Sequence, residues 1–161
     1  MPIISLVTTI NAPVEVCFDL SRSIDLHVIS TKHTGERAIA GVTSGLIGLG
    51  ESVTWRAKHF GVWQRLSSRI TKYERPYYFV DEMIEGAFKR FKHEHYFQES
   101  GNGITFMRDV FDYTSPFGIF GIVADKLFLK RYMTQLLVER NSVIKHYAES
   151  GKWKSLLNID R

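Results

Sequence analysis

The chain has 161 residues, 44% of them apolar, 13% aromatic and 24% charged, with one cysteine and a formal net charge of +4. That is the usual size of one domain, and such a chain buries roughly two-thirds of its unfolded surface without help from metals or disulfides. Disorder, a disulfide scaffold and a separate cofactor lobe are therefore excluded, and residues 1–161 are expected to form a single domain.

Residues 1–10 are apolar but lack a basic n-region and a small-residue cleavage site, so they read as a first strand, residues 3–10, and not as a leader. Asn11 is placed to cap a short helix with Pro13 in its first turn and Val14, Cys17 and Phe18 at helical spacing. A second helical turn over 23–29 takes Ser23 as its cap. Cys17 falls on the buried side of the first helix as a core residue, and its lack of a partner fits a reducing, cytoplasmic setting.

From Glu36 the hydrophobic period changes from 3.6 to 2. A short strand, 36–40, leads into a glycine-rich passage, 41–50, and then into alternating segments over 52–60, 62–73, 77–85, 88–99 and 104–113. Gly61, Arg75-Pro76, Gly86 and Ser100-Gly101-Asn102-Gly103 punctuate them. Joints this short make antiparallel neighbours, hence a meander. The passage Gly45-Leu46-Ile47-Gly48-Leu49-Gly50 resembles a phosphate loop only superficially, since it precedes a strand and lacks the Lys-Ser/Thr; it reads as a flexible connection able to gate a cavity mouth.

After Ser115-Pro116 the helical period returns. On a wheel centred on Leu129, residues Ile122, Tyr132, Met133, Leu136, Val143, Ile144 and Tyr147 form one stripe, which predicts a single amphipathic helix over 119–150 ended by Gly151. At 1.5 Å per residue it would be roughly 45 Å long. Its apolar run at 119–124 stops at Asp125 and Lys126, far short of the ~20 residues of a membrane span, so no integral membrane segment is expected. The economical packing is an α+β fold of six to seven strands, β-α-α-β-meander-α, whose bent antiparallel sheet grips the C-terminal helix and leaves a cavity.

Strand parity assigns the inward faces. They are Val53, Trp55, Ala57 and His59; Phe79, Asp81 and Met83; Phe91, His93, His95 and Phe97; and Thr105, Met107, Asp109, Phe111 and Tyr113. Arg140 lies about 20° from the centre of the helix stripe. A buried guanidinium needs a carboxylate or carbonyl, so Asp109 or Asp81 is its expected partner. The ligand-binding set is Trp55, His59, Asp81, Phe91, His93, His95, Phe97, Met107, Asp109, Phe111, Tyr113, Met133, Leu136 and Arg140, with His93, His95 and Asp109 the candidates for acid–base catalysis.

The polar members admit three readings: an internal hydrogen-bonded network, a device that orients the polar end of an apolar ligand, or acid–base or metal chemistry. His93-x-His95 alone is a weak metal signal, and no nucleophile motif accompanies it, so neither metal nor cofactor is expected. Basic residues are scattered; the densest stretch, Lys89, Arg90, Lys92 and His93, alternates with phenylalanines, so nucleic acid is not an expected partner. Trp63 and Tyr78 are candidates for an exposed partner-binding face.

The segments INAPVEVCFDL, VTWRAKHFGVWQRLSSRIT, GAFKRFKHEHYF and FMRDVFDYTSPFGIFGIVADKLFLKRYMTQLLVERN resemble the SRPBCC superfamily, the START-like helix-grip proteins that include polyketide cyclase/dehydrase-like, coenzyme Q-binding and plant pathogenesis-related members. The resemblance covers nearly the whole chain. It implies a helix-grip fold and a deep cavity for a lipid, isoprenoid quinone or polyketide-like aromatic; the chain itself is expected to be a monomer or homodimer. It carries over no catalytic residue. A cofactor-independent cyclase, dehydratase or hydrolase using a His/Asp pair is the alternative, and a partner-binding adaptor the second alternative.

Overall fold

The alternation of apolar and polar side chains through 52–114 produces five consecutive strands in a computed structural model that describes residues 2–158. They are β3 (Ser52–His59), β4 (Val62–Glu74), β5 (Tyr78–Glu85), β6 (Arg90–Glu99) and β7 (Thr105–Thr114). Two earlier strands, β1 (Ile3–Ile10) and β2 (Arg37–Gly41), join the outer edges, giving a seven-stranded antiparallel sheet in the order β1-β7-β6-β5-β4-β3-β2. Pairing of β1 with β7, from Ile3 opposite Asp112 to Ile10 opposite Thr105, brings the N-terminal strand beside the last one.

Register shifts at Ser67/Ser68 and Ile70/Lys72, where β4 meets β5, insert unpaired residues that bend the sheet. Gly86 is required at the end of β5: its φ is 146°, and a Cβ there would lie 2.8 Å from the Arg65 carbonyl oxygen.

Two short helices, α1 (Val14–Ser21) and α2 (Ile24–Ser30), close one end. Ser23 caps α2 by accepting from the Leu26 N–H at 3.2 Å, as its position predicts. Asn11 does not cap α1. The helix starts at Val14, with Pro13 in the cap position and no side-chain cap, while the Asn11 N–H donates to Glu149 Oε1 at 2.9 Å. The glycine-rich passage is also less free than its composition suggests. Gly45 N–H donates to Asp25 Oδ2 at 2.8 Å, Ile24 N–H donates to the Gly45 carbonyl at 2.9 Å, and Ile47 is buried.

The C-terminal helix runs over 118–150, within one residue of its expected extent, and carries a π turn. It comprises α3 (Gly118–Ala124), the π turn over Asp125–Leu129 and α4 (Lys130–Ser150); past Gly151 at φ 78° comes a short α5 (Trp153–Leu156). The extra residue of a π turn rotates whatever precedes it, so Ile122 leaves the predicted stripe and is exposed. The fully buried positions of α4 are Leu137, Arg140, Asn141, Ile144 and Ala148. Their centre is displaced roughly 75° from Leu129 at 100° per residue. No helix among the described residues is long and apolar enough to cross a membrane.

The solid part of the core lies under α1. There Phe18 meets Tyr73, Phe79 and Phe97 edge-on at 5.3–5.4 Å between ring centroids. Burial pushes the neighbouring Cys17 thiol up to about 11, as suits an inert core cysteine.

Candidate functional site

Between the sheet and the helices the side chains leave a cavity of about 1070 Å³. Its wall includes ten of the fourteen residues expected there: Trp55, His59, Asp81, Phe91, His93, His95, Phe111, Met133, Leu136 and Arg140. The other four share the inward face without reaching the cavity. Phe97 packs on Phe18, and Met107 is buried with its sulfur 3.3 Å from the Ser21 hydroxyl. Tyr113 donates its hydroxyl proton to Asp125 Oδ1 at 2.8 Å, which, with Ser115, ties the π turn to the end of β7. Asp109 has no exposed surface and lies behind the histidines.

Asp109 is the hub of a buried charge network. Its Oδ1 lies 2.9 Å from His93 Nε2, 3.0 Å from His95 Nδ1 and 3.5 Å from Arg140 Nη1, and its Oδ2 accepts from Asn141 Nδ2 at 2.7 Å. The His95 contact is short but turned away from hydrogen-bond geometry, leaving Nδ1 without a proper partner. Arg140 also donates to Asn141 Oδ1 at 3.1 Å and to the Ser21 carbonyl at 2.9 Å, so α4 is clamped to α1 as well as to β7.

The arrangement decides which carboxylate Arg140 pairs with: Asp109, not Asp81, lies within ion-pairing reach. Burial alone would raise the Asp109 pKa, yet the bond from His93 and the charges of His93 and His95 hold it well below the usual carboxylate range. For His95, burial followed by the charge of His93 drives the pKa well below that of a free imidazole. Burial also lowers Arg140, against the pull of Asp109 and Asp81.

Asp81 has a different environment. Its Oδ1 and the hydroxyl of Ser68 are buried with no hydrogen-bond partner of acceptable geometry, and both residues line the cavity. Burial raises the Asp81 pKa, only partly opposed by Ser68 and by the charges of His93, His27 and Arg140. A buried polar atom left unmatched costs about 1–3 kcal/mol, so these atoms mark where an incoming polar group would be favoured.

Parity found only part of a second polar group in the wall, His59, and missed its other members. His27 Nε2 lies 3.2 Å from Glu36 Oε2, and His59 Nδ1 lies 2.7 Å from the Tyr132 hydroxyl. Burial raises the Glu36 pKa, but His27, Thr31 and His59 outweigh it and the net shift is downward. Burial lowers His59. Parity could not find Glu36, which precedes β2, or His27, which sits on a helix too short to show a periodicity.

The rim is aromatic. Phe60 in the β3–β4 turn contacts Phe128 at 5.4 Å and Tyr132 at 4.6 Å between ring centroids, bridging sheet and helix across the opening. Phe117 and Phe120 are each 83% exposed while lining the same cavity. Away from it, Tyr78 is tied to Glu94 at 2.8 Å and stacks on Tyr96, whereas Trp63 is half exposed under the Arg56 guanidinium.

One donor atom each from His93, His95 and Asp109 lie within 4.8 Å of one another, close enough for a metal. The surrounding chemistry opposes it. Arg140 stands 3.5 Å from the Asp109 oxygen that both histidines approach, and Asn141 holds the other. A dication would face a guanidinium at close range, so the set fits a proton-sharing network better.

No family model matches the chain, and no curated protein matches it. Solved structures do. A protein of Thermus thermophilus aligns at 19% identity over 89% of this chain and 97% of its own, with a TM-score of 0.69. A START superfamily protein of Mycobacterium smegmatis aligns at 9% identity over 91% and 96%, with a TM-score of 0.68. The ginseng major latex-like protein 151 of Panax ginseng aligns at 14% over 91% and 97%, with a TM-score of 0.66. The chain has the START-like helix-grip fold. At these identities the likeness establishes architecture, and within the START-like frame the wall chemistry must be argued from this chain's own residues.

Proposed function

We propose that the protein binds a hydrophobic or amphipathic small molecule, of the lipid, isoprenoid quinone or polyketide-like aromatic kind, between its sheet and its C-terminal helix. The observation that carries this reading is a large, mainly apolar cavity whose wall keeps buried polar atoms of Asp81 and Ser68 unmatched. The apolar body of the ligand would lie against Trp55, Phe91, Phe111, Met133 and Leu136. Its polar end would be an uncharged oxygen function, a hydroxyl, phenol or carbonyl. Asp81, with its raised pKa, can donate to a carbonyl when protonated or accept from a hydroxyl when ionised. An anionic head is disfavoured beside that carboxyl.

The START-like fold supports a ligand-binding role. Native mass spectrometry of protein purified from its own host should reveal a co-purifying apolar molecule that denaturation releases. Protein that carries nothing, and that binds no member of a panel of prenylated phenols, quinones and fatty alcohols, would overturn the reading.

A second reading rests on the His93–Asp109 contact of 2.9 Å at the cavity wall, which would fix the imidazole tautomer for general acid–base work on a bound substrate. It predicts that His93→Gln abolishes turnover of a bound candidate while leaving its affinity within a few-fold. Unaltered turnover would remove it.

A further inference from the structure

We propose that the rim of the cavity is a docking surface for an anionic lipid bilayer, with the segment 117–131 and the β3–β4 turn seated together in the membrane interface. Segment 117–131 carries large apolar side chains that nothing among the described residues covers: Phe117 and Phe120 are each 83% exposed, Ile119 78% and Leu127 74%. Contiguous exposure of this kind is unusual on a surface meant only for water.

The neighbouring charges say what covers it. Lys126, Lys130 and Arg131 are exposed beside Leu127 and Phe128 around one shallow depression. The single acid of the segment, Asp125, is turned inward to Tyr113 and Ser115. Across the opening, the turn that presents Phe60 and Val62 is flanked by exposed Arg56, Lys58 and Arg65, with no acidic residue among positions 56–65. Aromatic and aliphatic side chains bordered by unneutralised cations match the two layers of an anionic bilayer, acyl boundary and phosphate.

A second copy of this chain would bring cations against cations across a symmetric contact, which is the wrong complementarity for an isologous dimer. The Phe60–Phe128 contact lies in this rim, so the face that would meet lipid borders the cavity. The π turn, Asp125–Leu129, begins at the residue that Tyr113 and Ser115 hold to the end of β7, so the apolar face of α3 is anchored beside the opening. Docking stands independently of what the cavity holds.

The test uses the full chain and sedimentation with vesicles of phosphatidylcholine alone or mixed with phosphatidylserine. Wild type should pellet with the mixed vesicles, less with phosphatidylcholine alone, and less again at high salt. The variant Ile119→Asp/Leu127→Asp alters two exposed positions outside the cavity wall and should lose binding by at least about tenfold. Lys126→Glu/Lys130→Glu should lose the preference for phosphatidylserine while keeping residual binding. Unchanged circular dichroism in both variants would separate loss of docking from loss of fold. Wild type that stays in the supernatant with mixed vesicles would overturn the proposal. So would a light-scattering dimer that Ile119→Asp/Leu127→Asp disperses, since the patch would then belong to a second copy.

Discussion

Asn141 on α4 donates to Oδ2 of Asp109 on β7 at 2.7 Å, and through this bond the helix is locked in register against the sheet. The same Asn141 accepts from Arg140 at 3.1 Å, so one amide joins the two charges of the network. Replacing it with Leu leaves Asp109 short of a donor and is expected to cost about 1–3 kcal/mol. Asp109→Asn should cost more, about 3–5 kcal/mol, because Arg140 then keeps its charge with no ionised partner. Urea unfolding would measure both. Coupling in the Asp109→Asn/Arg140→Met cycle near zero would mean that the 3.5 Å approach contributes nothing to stability.

Asp81 is expected to weaken the fold at neutral pH in exchange for its place in the cavity. Its folded pKa is raised above that of the unfolded chain, so between the two values the folded state binds more protons and stability falls as pH rises. Asp81→Asn lacks this term. The variant should melt higher than wild type at pH 7, and the gain should shrink toward zero as pH drops below about 4, where the unfolded carboxyl is protonated too. Asp81→Leu should also be stabilising and should weaken binding of a hydroxyl- or carbonyl-bearing ligand. A lower melting temperature for Asp81→Asn at pH 7 would show that the carboxylate is matched after all.

The strands β6 and β7 were legible because their alternation is strict: Phe91, His93, His95 and Phe97 are all buried, as are Thr105, Met107, Asp109, Phe111 and Tyr113, whereas the register shifts between β4 and β5 bury the adjacent Phe79 and Val80. Parity assigns a side of the sheet and not a depth along it. For that reason it grouped Phe97 and Met107, which fill the end under α1, with Phe91 and Phe111, which line the cavity. The helix was legible in extent but not in phase. A π turn leaves no periodic signature, so a wheel centred on Leu129 kept Ile122 in the stripe and left Asn141 on its flank, though that flank faces Asp109. Arg140 stood out because a cation in an apolar stripe needs a reason; Glu36, outside any strand, offered no such contrast.

His95 gives acid lability a specific window. Its folded pKa is depressed well below the unfolded value of about 6.5, so as pH falls below about 6.5 the unfolded chain takes up a proton that the folded chain refuses. The His95 contribution to stability should decline from there downward until its folded pKa is reached, against the opposite slope that Asp81 contributes. Asp109, also depressed, adds a further loss that begins only near the unfolded carboxylate value of about 4. His95→Phe, stacked on Phe79 as the imidazole is at 4.1 Å, should flatten the upper part of the decline. Melting temperatures at closely spaced pH values between about 7 and 4 test this; an unchanged slope in the variant would assign the decline to another group.

Phe60 and Phe128 close the mouth by one ring contact at 5.4 Å, with Tyr132 beneath Phe60 at 4.6 Å. An edge-on aromatic pair contributes about 0.5–1.5 kcal/mol beyond its buried area. If passage of an apolar probe requires this contact to open, Phe60→Ala should accelerate entry and release together by roughly three- to tenfold and shift the equilibrium constant less, since 1.4 kcal/mol corresponds to about tenfold. Phe128→Ala should do the same, and the double variant should gain little over either single one because both remove the same contact. Stopped-flow release of an environment-sensitive fluorescent fatty alcohol reads these rates. Equal release from wild type and both variants would place the exit elsewhere, with the glycine-rich passage around the buried Ile47 the next position to substitute.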